Sequence, residues 1–186
     1  MSADTVLVVL RGNSGSGKSS VARELRRRHG RGCALIEQDH FRRVVLREHD
    51  VAGGLAPLLI AQTARTALDH GYSVVVEGIL TAARYRDALI GLAADHRGRT
   101  AFFWFDVSFE ETCRRHATRP LSAILSTDEM RGWYDPSDLL GAANEHVVPE
   151  AYTLEETVAF VAATSGLPQD GREEDYLPLR PTGPVP

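Results

Sequence analysis

One lysine, Lys18, stands among the 21 basic residues of this 186-residue chain; the other twenty are arginine. It falls in Gly12-Asn13-Ser14-Gly15-Ser16-Gly17-Lys18-Ser19-Ser20, which fits G-x-x-x-x-G-K-S, the phosphate-binding P-loop. A composition that has replaced lysine with arginine almost everywhere has kept it here. The loop needs a compact ammonium against β- and γ-phosphate oxygens, and a planar guanidinium fork fits that task poorly. Successive backbone N–H groups of the loop would form an anion nest, and the following helix N-terminus adds partial positive charge. Residues 12–20 are therefore the candidate nucleotide-phosphate site, with the Ser19 hydroxyl offered to Mg²⁺.

A second group could act on the far side of the transferred phosphoryl. Asp39 lies in Glu37-Gln38-Asp39-His40-Phe41-Arg42-Arg43, where a carboxylate could take the proton of an attacking hydroxyl. The same residue could instead cap a helix beginning near Phe41, and the two roles are compatible. Arg42 and Arg43, one turn on, could clamp an anionic acceptor or the phosphoryl in transfer. Glu77 ends Val74-Val75-Val76 and precedes Gly78, an acid at the tip of a buried strand that would hold Mg²⁺ through water or place the acceptor. Asp106, at the end of another strand, competes for that role. Glu77 is favoured because Gly78 would let backbone approach a ligand. Arg114, Arg115, Arg119 and Arg131 gather further along the chain. Arg115 and Arg119 are four apart on one helix face and could belong to a lid that closes over the nucleotide. Trp133 and Tyr134 could serve as lid hydrophobes, as a stacking surface for substrate or as simple packing, and packing is expected.

These residues need a scaffold, and the sequence supplies an alternating one. Val6–Leu10 is apolar and β-branched, as a buried parallel strand should be. A helix over about 18–29 follows, stopped by Gly30-Arg31-Gly32. Cys33–Glu37 reads as strand two and Phe41–Glu48 as a helix. Pro57 opens a helix that runs to His70 and ends at Gly71. Ser73–Glu77 is strand three, Thr81–His96 a helix and Thr100–Asp106 strand four. Ser108 caps a helix reaching about Ala117, with Glu110 and Glu111 in its first turn. His146–Val148 is a short fifth strand and Thr153–Thr164 the last helix. The pattern predicts an α/β domain over 1–166, a five-stranded parallel sheet between helices, with a short lid at about 118–135. Strand two is expected beside the P-loop strand. Residues 167–186 read as an extended, Pro-rich acidic tail.

Composition narrows the function classes. Apolar residues make up 43% and charged ones 25%, ordinary for a globular protein. The net charge of −4 argues against a nucleic-acid partner for the chain as a whole. Ten basic and six acidic side chains fall within residues 1–50, whereas the last forty residues hold two and seven. Positive charge thus collects around the P-loop. Cys33 and Cys113 lack metal-ligand spacing, which gives no disulfide framework and no zinc site. With no leader and no apolar run approaching ~20 residues, a cytoplasmic protein is expected.

Taken together, the motifs resemble the nucleoside/nucleotide kinase-like group of P-loop phosphotransferases, over about residues 5–165. Gln38–Arg42 is similar to the segment after strand two in polynucleotide 5′-hydroxyl kinases, and its aspartate to that of chloramphenicol phosphotransferase and zeta-toxin-like kinases. Val74–Gly78 resembles the strand-three acid–Gly of adenylate kinases, with Glu in place of the more usual Asp. Val107–His116 resembles the helix leading into the lid. The resemblance implies a P-loop NTPase fold of the nucleotide-kinase type, ATP and Mg²⁺ as cofactors and Asp39 as base. It further implies Arg42 as acceptor contact and Arg115 and Arg119 as lid arginines. The expected activity is transfer of the γ-phosphoryl group to a hydroxyl of a small molecule, such as a sugar, nucleoside or hydroxylated antibiotic, by a monomer or homodimer. Two alternatives stand beside it: a polynucleotide 5′-hydroxyl kinase, and a nucleotide-dependent switch that hydrolyses ATP slowly. The Asp39/Arg42 pair favours the kinase, since a switch needs no acceptor pocket.

Overall fold

In a computed structural model, residues 4–117 and 127–171 are described. The strands are β1 (Val6–Gly12), β2 (Cys33–Glu37), β3 (Ser73–Gly78), β4 (Arg99–Asp106) and β5 (Glu145–Pro149). They form one parallel sheet in the order β2-β3-β1-β4-β5. Every residue of β1 is buried, as the central strand of a sheet covered on both faces requires. The helices are α1 (Lys18–His29), α2 (Gln38–His40), α3 (Ala56–Asp69), α4 (Ala82–Asp95), α5 (Phe109–Ala117), α6 (Thr127–Trp133) and α7 (Leu154–Ser165). A π-helical segment, Phe41–Leu46, continues α2.

The strand order corrects the expectation that β2 borders the P-loop strand: β3 lies between them. Burial gives the reason. Val74, Val75 and Val76 are wholly buried, so β3 needs a neighbour on each side, whereas only Ile36 of β2 is fully inside. A strand with that pattern suits an edge. Side chains alternate between two cores along β1. Val6, Val8 and Leu10 face Val21 and Leu25 of α1 and Val158 and Val161 of α7. Leu7 and Val9 face Ile60, Ala64 and Leu68 of α3 and Tyr85, Leu89 and Leu92 of α4.

Local chemistry sets several boundaries. Thr153 and Glu156 form a reciprocal capping box at the start of α7. The Ser108 hydroxyl accepts from Glu111 N at 3.3 Å at the start of α5. Residues 167–171, assigned to the tail on composition, are docked on the domain. Leu167 is buried in the α1/α7 core, and Gly171 N donates to Arg28 O at 2.8 Å. Burial pushes the Cys33 thiol up to about 12, the mark of an inert packed cysteine. Among the described residues, no helix is long and apolar enough to cross a membrane.

Candidate active site

The glycine-rich turn leaves β1 at the sheet's carboxyl edge and enters α1 at Lys18, after Gly17 in a left-handed conformation. Gly15 also has positive φ, 85°, and a Cβ there would lie 2.7 Å from Thr112 O of α5. Glycine therefore meets both the turn geometry and the close approach of the next element. Lys18 is 6% exposed. Its ammonium bends back over the loop, donating to Asn13 O at 2.7 Å and Ser16 Oγ at 3.0 Å. The loop is thus closed around the charge meant for phosphate.

Ser19 Oγ sits 3.1 Å from both carboxylate oxygens of Glu77. Glu77 is buried, and burial raises its pKa above the usual carboxylate range, against the opposing pull of Lys18 and the Ser19 hydrogen bond. A hydroxyl and a carboxylate, both hard oxygen donors, fit Mg²⁺, and a cation would repay the desolvated charge. Among the described residues, no three His, Cys, Asp or Glu side chains form a metal cage. Asp106, the competing acid, is exposed, so it carries no burial cost that a ligand would have to offset. A Cβ at Gly78 would run into the buried Gln38 side chain, so glycine there also makes room for a neighbour within the protein.

The phosphate nest opens onto a cleft of about 390 Å³ that also takes in Asp39, Arg42, Arg43 and Glu77. Sequence reasoning foresaw these four and missed Asp50, Thr81 and Arg84, which line the same cleft. Trp133, expected to pack, is 54% exposed and lines it as well. Tyr134 does pack, edge-on to Phe109 and with its hydroxyl donating to Val107 O. Asp39 is no N-cap. The helix begins one turn earlier than expected, Glu37 holds the cap position, and no side chain caps it. The Asp39 carboxylate is 61% exposed and lies 3.3 Å from Arg42 Nη2 and 3.4 Å from Arg43 Nε.

Arg115 does not reach over this cleft. Its guanidinium donates to Ser16 O at 3.0 Å, Glu150 O at 3.2 Å and Glu111 Oε1 at 2.6 Å, tying the back of the P-loop to the β5–α7 connection. Behind it lies a second cleft of about 400 Å³, walled by Phe105, Val107, Val148 and Tyr152 beside Ser20 and Gly17. Its apolar wall matches no sequence motif. Arg114 pairs with Glu111, and Arg131 lies 4.1 Å from the Phe109 ring. Arg119 and much of the expected lid fall outside the described residues.

Asn13 of the P-loop and Arg11 of β1 have structural duties that spacing could not show. Asn13 turns onto the segment after α6, donating to Asp135 O at 2.6 Å and accepting from Asp135 N at 2.9 Å. Arg11, wholly buried, spans three elements: Nη2 to Asp138 at 2.8 Å, Nη1 to Glu145 at 3.1 Å and Nε to Leu80 O at 3.0 Å. Asp138 in turn accepts from Ala82 N at the start of α4, and Gln38 Oε1 accepts from Leu80 N. These bonds fix Leu80, which has an uncommon positive φ of 45°. The flanking residues Ile79 and Thr81 line the acceptor side of the cleft. The only sequence signal was a charge set directly between a buried strand and a glycine loop.

A parallel sheet of this order, with an anion nest after its central strand and a hydroxyl–carboxylate pair beside it, defines the P-loop NTPase class with the fold of small kinases. A family profile described as "AAA domain" matches residues 7–135, and the chain belongs to that family. Among solved structures it is similar to the APS kinase of Mycobacterium tuberculosis in complex with AMPPNP and APS. That match has a TM-score of 0.69 at 21% identity and covers 88% of this chain and 98% of that one. A sugar kinase from Janibacter sp. HTCC2649 matches at TM-score 0.70 and 18% identity, over 90% and 99% of the two chains. A gluconokinase from Sinorhizobium meliloti 1021 matches at 0.62 and 22%, over 88% and 92%. A comparison with curated proteins finds no match.

Proposed function

We propose that the protein is an ATP-dependent phosphotransferase acting on a hydroxyl of a small molecule in the cytoplasm, as a monomer or homodimer. The observation that carries this reading is the continuity of one cleft. At one end Lys18 and the loop amides await phosphates. At the other, Asp39 stands with Arg42 and Arg43 where a second substrate would enter. A slow ATPase switch has no use for such a chamber.

The β- and γ-phosphates lie in the nest against Lys18, and the nucleobase enters the apolar second cleft beside Arg115. Ser19 would hold Mg²⁺, with Glu77 directly or through water, and the ion would neutralise charge that develops on the phosphates. Asp39 accepts the proton of the acceptor hydroxyl as it attacks, while Arg42 and Arg43 hold the acceptor. Arg119 is read as a lid arginine that covers the transfer. Binding and positioning supply most of the catalysis in such a reaction, because little covalent chemistry falls to the protein. Incubation with γ-³²P-ATP and a pool of sugars, nucleosides, hydroxylated antibiotics and 5′-OH oligonucleotides tests the reading. Label is expected in a small alcohol with wild type and not with Lys18→Ala. Label released only as inorganic phosphate, whatever the acceptor, would overturn it.

A further inference from the structure

Among the described residues, three buried side-chain atoms have no hydrogen-bond partner: Arg42 Nε, Thr81 Oγ1 and Arg84 Nε. Buried polar atoms are almost always satisfied, so each exception calls for a reason. All three belong to residues that line the same cleft, on the acceptor side of the Ser19–Glu77 pair.

Thr81 is the clearest case. It holds the N-cap position of α4 yet makes no side-chain capping bond, although capping is what a threonine there ordinarily does. Arg84 N–H, a donor such a cap would take, goes to the Thr81 carbonyl at 3.0 Å, and the Thr81 hydroxyl is left unengaged. Arg84 spends Nη2 on Asp50 at 3.1 Å, and Asp50 also accepts from Tyr85 OH at 3.1 Å. Arg42 spends Nη2 on Asp39. Each guanidinium is therefore anchored by one edge and keeps its Nε–H for something else. Two cationic N–H donors and a hydroxyl form a donor set for an oxyanion. The cleft's acceptor side carries Arg42, Arg43 and Arg84 against Asp39 and Asp50, so a neutral acceptor would leave a positive charge unmatched.

Resting on the proposed phosphotransferase reading, we infer that the acceptor is a small alcohol bearing its own anionic group, a carboxylate or phosphate. Arg42, Arg84 and Thr81 bind that group. Asp39 faces the hydroxyl, and the anion is held from the α4 side.

The test has a transfer arm and a binding arm. Matched acceptors (glycerol, glycerate and glycerol 3-phosphate; glucose, gluconate and glucose 6-phosphate) are compared for label transfer from γ-³²P-ATP. Anionic members are expected to exceed their neutral partners in kcat/KM by about 10- to 100-fold, the scale of a charge-assisted hydrogen bond. Whether carboxylate or phosphate wins identifies the anion. In the binding arm, inorganic phosphate and gluconate are titrated into protein saturated with Mg²⁺ and a non-hydrolysable ATP analogue, which blocks the P-loop. Arg84→Gln is expected to weaken binding of both probes about 10-fold or more, and Thr81→Val severalfold, with affinity for the ATP analogue retained as the sign of an intact fold. Equal use of neutral partners, preference for a 5′-OH oligonucleotide, or unchanged anion binding in both variants would each overturn the inference. Absence of any transfer would sink the phosphotransferase reading alone, because the binding arm still decides the anion site.

Discussion

Removing the Arg11 guanidinium should destabilise this protein more than any change of similar size on its surface. In Arg11→Met the side-chain volume is nearly kept, so little cavity forms. The loss is electrostatic. Asp138 and Glu145, with side chains 13% and 5% exposed, would be left without their cation, and Leu80 O without its donor. Breaking a buried ion pair from one side costs about 3–5 kcal/mol. Here the acids keep other donors: Ala82 N for Asp138, and Leu140 N and Gly141 N for Glu145. The lower end, about 3 kcal/mol, is the expected loss. At about 2–4 °C per kcal/mol for a chain of this size, Tm should fall by roughly 6–12 °C. The loss should depend on pH. Burial holds the folded-state pKa of Asp138 above its ordinary value even against the pull of Arg11, and losing Arg11 raises it further. Its protonated form then fits the folded state, and stability drains away as pH rises through that raised value. The penalty should be largest at neutral pH and shrink as pH falls toward that raised value. Adding Asp138→Asn and Glu145→Gln should restore much of it at neutral pH. Thermal and urea melts across pH 5–8 decide the matter. A loss under ~1 kcal/mol with no pH dependence would refute the reasoning, since it would mean that the buried acids never relied on Arg11.

Lys18→Ala should abolish ATP binding or turnover with the fold intact, and Lys18→Arg should fail as well; normal ATP titration of either variant would overturn the P-loop assignment. Asp39→Asn should lower kcat by roughly 10²–10⁴-fold. Its two exposed ion pairs predict a stability change of only about 0–1 kcal/mol, so near-normal turnover beside a large drop in Tm would reverse the assignment. Gly78→Ala should cost about 1–3 kcal/mol by forcing Gln38 off Leu80 N; an unchanged urea midpoint would show that Gln38 is free to move. Glu24 is held at about 2 by hydrogen bonds from Arg27 and Arg28. A carboxylate depressed in this way adds stability that is complete above its unfolded value and lost as pH falls from about 4.5 toward 2. Glu24→Gln should flatten that acid limb, and acid-titrated melts superimposable on wild type would count against the pairing.

The most legible parts of this protein were those set by neighbouring residues. The P-loop, the alternation of strand and helix, the α5 cap at Ser108 and the acid at the tip of β3 all follow from local pattern and spacing. The strand order was not local, because adjacency depends on which strand needs burial on both edges, and Cys33–Glu37 differs from Ser73–Gly78 only in degree. Asn13, Arg11 and Gly78 were misread or missed for a common reason. Their partners, Asp135, Asp138 and Glu145, and Gln38, lie 40 or more residues away, so only the fold could pair them. Asp39 lines the same cleft as Lys18, but the N-cap role expected beside catalysis fails, since the helix starts before Phe41. The second cleft sets the outer side of the P-loop against apolar side chains of β4, β5 and the segments that follow them, and those apolar residues read as core in any sequence.

The bent-back lysine also makes the protein its own occupancy gauge. Lys18 carries the sole ε-amine of the chain, and that amine lies almost wholly inside the loop it serves. An amine-directed acylating reagent therefore has one internal target per molecule, and that target is the phosphate site. The mass added to the peptide containing Lys18 counts molecules whose loop has opened to reagent, and a nucleotide seated there lowers that count directly. In a protein with a normal complement of lysines, the same signal would be buried under surface labelling.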